Sequence, residues 1–228
     1  MKRVFIISVF MSLSVLTFAQ SKNIHIVANN NNGFWSNWEV SLNGGVQTIY
    51  NIPNKKEGVD LNPYSWDSFN PVFDLYINKW MSTIFGMRLG FSGIGAKYYY
   101  NSLYEDNVEL KNNSFSAHIN ALLNVTNLIN GYSPNAFFNL SVFAGVGVMY
   151  SKRTEPKPES DNKIQLIVPI GLLTTYSINK NWAINLEFRD FLLFGNNVHN
   201  ELSPLTTADF SNQLSVSAGV TYKFANKF

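Results

Sequence analysis

From Trp38 onward apolar and polar side chains alternate almost one for one: Trp38, Val40, Leu42, Val46 and Tyr50 are interleaved with Glu39, Ser41, Asn43 and Gln47. A period of two puts successive side chains on opposite faces of an extended chain, so this segment predicts a β-strand with one apolar and one polar face. Gly44 and Gly45 would weaken a flat strand, but small residues suit the wall of a tightly curved one. The pattern recurs seven more times, predicting strands over Phe69–Asn78, Thr83–Tyr98, Ser114–Val125, Phe137–Tyr150, Lys163–Tyr176, Trp182–Phe191 and Gln213–Phe224. In the third strand Phe85, Met87, Leu89 and Phe91 oppose Gly86, Arg88, Gly90 and Ser92; the alternation slips at Gly93-Ile94-Gly95, where a bulge is expected. The sixth strand is the least regular, because Ile167 and Leu173 fall on its polar face and Pro169 interrupts its ladder.

The links decide what the strands build. Residues 51–68, 99–113, 151–162 and 192–212 are long and polar, whereas 79–82 and 177–181 are tight. Eight amphipathic strands joined by alternating long and short links predict an all-β fold: an eight-stranded antiparallel up-and-down transmembrane β-barrel, with short turns in the periplasm and long loops outside. The remaining short-side link, 126–136, carries Leu128, Ile129 and Tyr132 and predicts an apolar helical turn plugging the lower end. If the first strand rises from the periplasm, Trp38, Trp80 and Trp182 fall at the periplasmic rim. Tyr50, Tyr98, Tyr99, Tyr100 and Tyr150 then fall at the outer rim, giving the two aromatic girdles of a membrane barrel.

Composition agrees with a surface that partly avoids water. Of 228 residues only 14% are charged and 15% are aromatic, against about 25% charged in an ordinary soluble domain. After the first twenty residues no apolar run reaches the roughly 18 residues that a spanning helix needs. The mean hydropathy is -0.05, as expected when apolar residues occupy alternate positions. Lys2 and Arg3, the apolar stretch from Val4 to Phe18, and Thr17-Phe18-Ala19 read as a cleavable signal peptide over residues 1–19. The Asn-rich residues 20–37 read as a flexible periplasmic lead-in, and 38–228 as the barrel. The chain has no Cys, which excludes a lipid-modified N-terminus and a disulfide framework. Without Lys2 and Arg3 the 17 basic side chains fall to 15 and match the 15 acidic ones, so nothing points to nucleic acid.

The last strand, Ser217-Ala218-Gly219-Val220-Thr221-Tyr222-Lys223-Phe224, resembles the C-terminal signal by which outer-membrane barrels reach their assembly machinery. With the strand pattern, it makes residues 38–228 resemble the transmembrane domain of the outer-membrane protein A family. Asn127-Leu128-Ile129-Asn130-Gly131-Tyr132 is similar to the second periplasmic turn of one of its subgroups. The resemblance implies a Gram-negative cell outer membrane, with outer-membrane lipid and lipopolysaccharide around the wall and the barrel-assembly machinery engaging the last strand. Many members continue into a peptidoglycan-binding domain; this sequence stops at the barrel, so tethering is not expected.

Candidate chemistry is sparse. Glu39, Asp74, Arg88, Glu187 and Arg189 all fall on the inward face, where charges must pair, and they predict an ion-pair network that plugs the barrel. The alternative is a gate on a narrow porin-like path. Ser116 and His118 share the inward face, the placement that a Ser/His pair of a lipid A-modifying enzyme would need, but no orienting third residue accompanies them. His25, His118 and His199 are too far apart to read as metal ligands. No catalytic, cofactor-binding or metal-binding set is therefore assigned, and no enzyme is expected. Residues 51–68, with Lys55, Lys56, Glu57, Pro63, Tyr64 and Trp66, are the candidate surface for adhesion or ligand binding, the plainer reading being a solvated loop. The expected role is structural, in envelope integrity.

Overall fold

The computed structural model describes residues 36–50, 69–100, 108–155, 162–194 and 210–224. Eight antiparallel strands form a closed barrel: β1 (Trp38–Tyr50), β2 (Asn70–Trp80), β3 (Phe85–Tyr100), β4 (Val108–Asn124), β5 (Phe138–Glu155), β6 (Asn162–Ser177), β7 (Trp182–Phe194) and β8 (Phe210–Phe224). Each strand pairs with its sequence neighbours, and β1 pairs with β8 from Trp38↔Phe224 to Tyr50↔Asn212. Closure leaves no sheet edge, which is what allows strands to cross a medium that offers no hydrogen bonds.

Alternation is read directly in the burial. Along β2, Val72, Asp74, Tyr76 and Asn78 are buried while Phe73 and Leu75 are exposed. Along β7, Ala183, Asn185, Glu187, Arg189, Phe191 and Leu193 face inward and Trp182, Ile184, Leu186 and Phe188 face outward. The barrel is thus inverted relative to a water-soluble protein, with polar groups inside and hydrocarbon outside.

The short links are held by side-chain caps. Ser82 Oγ accepts from the Ile84 and Phe85 amides at 3.3 and 2.9 Å, and Asn179 Oδ1 accepts from the Asn181 and Trp182 amides at 2.9 and 2.8 Å. The middle short-side link forms a single helical turn, α1 (Val125–Asn130), capped by Asn124, whose side chain accepts from the Asn127 amide, and ended by Gly131 at φ 79°. Asn127 ties it to the neighbouring turn by donating to the Thr83 carbonyl at 2.6 Å. The expected plug is not formed in this way: Ile129 is exposed, Leu128 only half-buried, and Asn127 is the buried residue of the turn. A single turn pinned by its polar side at Asn127 has no freedom to swing its apolar side under the barrel.

Three other expectations are corrected. The ladder runs unbroken through Gly93-Ile94-Gly95 on the β4 side, and β2 pairs in register up to Val72↔Ile94, so no bulge lies there; the register shift is in the β4–β5 pair, between Lys111 and Asn112. Glycine has no side chain to display a face, which makes alternation illegible without any change in register. The links after β3 and β5 are shorter than their polarity suggests, because β3 reaches Tyr100, β4 starts at Val108 and β5 reaches Glu155. Ladder bonds join backbone to backbone and need no apolar face. The sixth strand is present as expected, and Pro169 interrupts its ladder: lacking an N–H, it leaves a gap in the β5 pairing between Ala144↔Ile170 and Gly147↔Ile167 while staying in register with Phe191 of β7. Finally, Trp80 does not join the outer girdle: it packs against the inward cluster of Leu122, Phe143 and Leu173. Trp38, level with Phe224, and Trp182 are at that rim as expected, and Trp182, Tyr222 and Phe224 stack with successive ring centroids 4.9 and 4.8 Å apart, beside Tyr176 on Phe137 at 5.6 Å. The side chains of Tyr50, Tyr98, Tyr99 and Tyr100 lie outside the described residues, as do residues 1–35.

Candidate functional site: the barrel interior

Four of the five expected charges meet at mid-barrel. Arg88 Nη1 from β3 donates to Glu187 Oε2 of β7 at 2.6 Å; Arg189 reaches Asp74 Oδ1 of β2 at 2.9 Å and Glu187 Oε1 at 3.4 Å. All four are nearly inaccessible to solvent, so two cations balance two anions in a closed neutral group. Charges taken out of water are costly unless paired, and here each charge has a partner, while Asp74 Oδ2 and Arg189 Nε make no hydrogen bond among the described residues.

Sequence reasoning missed the residue that joins the two pairs. The Tyr76 hydroxyl donates to Glu187 Oε1 at 2.7 Å and accepts from Arg189 Nη1. The Arg88 guanidinium lies 4.1 Å from the centroids of both the Tyr76 and Phe143 rings, and that of Arg189 lies 4.3 Å from Phe191, so both cations also rest on aromatic faces. In the amide orientation that satisfies both groups, the Asn120 oxygen accepts from Arg88 Nε and Nη2 at 3.2 Å each. An inward aromatic next to an inward acid, as in Asp74-x-Tyr76, was the available signal.

The fifth charge stands apart. Glu39 lies nearer the short-link end and accepts from Asn78 Nδ2 at 3.3 Å, outside the network. The strand register explains this, since Glu39 is level with Asn78 and Lys223, not with Asp74, which faces Asn43.

Two apolar layers enclose the charged group. On the long-link side, Val72, Met149, Ile167, Phe191 and Leu193 form one cluster; on the short-link side, Leu122, Phe143 and Leu173 with Trp80 form the other. The irregular Ile167 and Leu173 of β6 are therefore members of these layers. Below the second layer a polar vestibule of about 730 Å³ opens at the short-link end, lined by Glu39, Asn124, Asn139, Thr175 and Lys223 among others. Tyr132 contributes to its lining, where partial burial pushes the phenol up from its ordinary pKa.

Ser116 and His118 are both inward and buried, but they are not a pair. The His118 Nδ1 atom lies 3.2 Å from the Asn120 amide nitrogen in the orientation that serves Arg88, its ring meets Phe191 edge-on at 5.4 Å, and the Ser116 hydroxyl has no hydrogen-bond partner among the described residues. His118 lies in register between Gly90 and Gly147, and a Cβ at either glycine would overlap it. His25, His199 and the loop residues Lys55, Lys56, Glu57, Pro63, Tyr64 and Trp66 lie outside the described residues.

No family model matches the chain. It is 26% identical over 152 residues to outer membrane protein 41 of Porphyromonas gingivalis, covering 67% of this chain and 37% of that protein. It is 28% identical over 120 residues to outer membrane protein 40 of the same organism, covering 50% of this chain and 30% of that one. The chain thus matches about a third of the length of these relatives. Among solved structures, the outer membrane protein OprG of Pseudomonas aeruginosa superposes with a TM-score of 0.55 at 12% identity, over 85% of this chain and 98% of that one. The likeness shows the fold. With the apolar exterior, it makes this chain a transmembrane β-barrel of the outer membrane, surrounded by outer-membrane lipid.

Proposed function

We propose that this outer-membrane barrel is a closed, non-catalytic structural element of the cell envelope, of the outer-membrane protein A type. The observation that carries the reading is the neutral group of Asp74, Arg88, Glu187 and Arg189 sealed between two apolar layers. An ion crossing this interior would have to break paired charges and then wet an apolar constriction, both unfavourable. Residues 1–19 serve as the export signal, the long links face outward into lipopolysaccharide, and β8 presents Tyr222 and Phe224 to the assembly machinery.

Planar-bilayer recording tests it. The wild-type chain is expected to give little or no discrete conductance, whereas Phe191→Ala combined with Leu193→Ala, which opens the long-link layer, gives resolvable openings. Frequent wild-type openings would replace the structural reading with that of a narrow porin, for which the vestibule at the short-link end is the supporting observation.

A further inference from the structure

The outer wall carries a recess with a defined floor and walls. On the outward face Gly44, Phe73, Gly93, Phe115, Tyr150 and Ile164 are cross-strand neighbours in one continuous row from β1 to β6. Gly93 forms a low point between Phe73 and Phe115, which stand out at 67% and 66% exposure. The resulting groove is about 540 Å³ and is lined almost wholly by apolar side chains, with Leu75 and Phe91 at its lower side and Ile164 and Tyr150 toward the long-link end. That volume falls within the roughly 300–1,000 Å³ of small-molecule sites.

Steric packing within the wall does not require the glycines of this row. At the other strand glycines whose surroundings are described, an added Cβ would come under 3.0 Å from neighbouring backbone or side-chain atoms, so packing excludes a side chain. At Gly44 the Cβ would meet Phe73 at 3.8 Å, and at Gly93 it would meet Phe115 at 3.5 Å, both ordinary contacts. Glycine weakens a strand. Its presence where a larger residue fits points to something on the outer side that needs the space.

The row above the groove changes chemistry. Asn113 and Lys152 are neighbours there, both exposed, and Lys152 is the outward residue following Tyr150 on β5. An apolar slot surmounted by an amide and a cation matches a hydrocarbon chain joined to an anionic headgroup. Because the groove runs from mid-wall toward the long-link end, that lipid belongs to the outer leaflet.

We infer that this groove seats an acyl chain of lipid A, with Lys152 meeting its phosphate. The inference rests on the outward placement of the long links given above. Bound this way, the lipid is a fixed component of the wall and not part of the exchanging annulus.

Native mass spectrometry of the full chain, refolded in detergent and mixed separately with lipid A, phosphatidylglycerol and phosphatidylethanolamine, tests the assignment. One lipid A per barrel is expected to be retained, and the phospholipids at least tenfold less. Gly93→Leu and Gly44→Leu should lower lipid A retention at least tenfold while heat-modifiable migration is preserved, and Lys152→Ala should lower it for lipid A alone. Ala144→Leu, exposed on the outward face of β5 and paired with Ala121 and Ile170 away from the groove, is the control and should retain it. Equal retention by all variants overturns the site. Retention of phosphatidylethanolamine as strong as that of lipid A overturns the headgroup assignment, and loss of a dimer signal in place of a lipid adduct gives the groove to a second copy. None of these outcomes depends on conductance, so failure here is separable from failure of the structural reading.

Discussion

Replacing Arg88 by Ala removes one of two cations that neutralise Asp74 and Glu187, at a position with 1% exposure. Glu187 would keep only its 3.4 Å approach to Arg189 and the Tyr76 hydroxyl, and the group would carry one uncompensated negative charge. Removing one partner of a buried pair costs about 3–5 kcal/mol. The guanidinium also fills the space between the Tyr76 and Phe143 rings, so truncation leaves a void as well. For a chain of this size each kcal/mol shifts the midpoint by about 2–4 °C, so a fall of roughly 6–20 °C is expected. The temperature at which the folded, fast-migrating band converts to the unfolded one in detergent reads this directly. A control separates charge from volume: Arg88→Met with Glu187→Gln restores neutrality, keeps an acceptor for Tyr76, and leaves Arg189 on Asp74. That double variant should melt well above Arg88→Ala. If Arg88→Ala melts like wild type, or if the double variant shows the plain sum of its single effects, the pairing does not hold the barrel together.

Two further outcomes follow from the interior packing. Gly90→Ala drives a methyl into the His118 ring and should destabilise by about 1–3 kcal/mol, the usual cost of overpacking; adding His118→Ala should recover part of the loss, measured by the same melt. Glu39→Gln should change the midpoint little, by less than about 1 kcal/mol, because Glu39 accepts a single hydrogen bond from Asn78 and lies outside the network. A loss comparable to that of Arg88→Ala would place Glu39 back among the coupled charges.

The period-two pattern determined the barrel almost entirely. Strand number, the sidedness of every strand, the start of β1 at Trp38 and the end of β8 at Phe224 were legible because a wall between hydrocarbon and a packed interior forces each residue to declare a face. Positions that declare nothing were misread: Gly93 hid an intact register, and the polar residues of 108–112 and 151–155 hid strands that run on by backbone bonding alone. Ile167 and Leu173 read as irregular, and Trp80 as a girdle residue, because a polar inward face was expected throughout, whereas the interior is layered.

What the pattern could not supply was height. Alternation says that a side chain points inward but not which inward residues of other strands it meets, since that depends on the stagger of eight tilted strands around a closed circumference. Only the tertiary structure places Tyr76 between Glu187 and Arg189, leaves Glu39 in the vestibule, and keeps Ser116 and His118 from forming a pair. Stagger likewise aligns Phe73, Gly93, Phe115 and Tyr150 into one row on the outer wall. The sequence alone determined which side of the wall each residue takes; closure of the barrel decided which residues meet there.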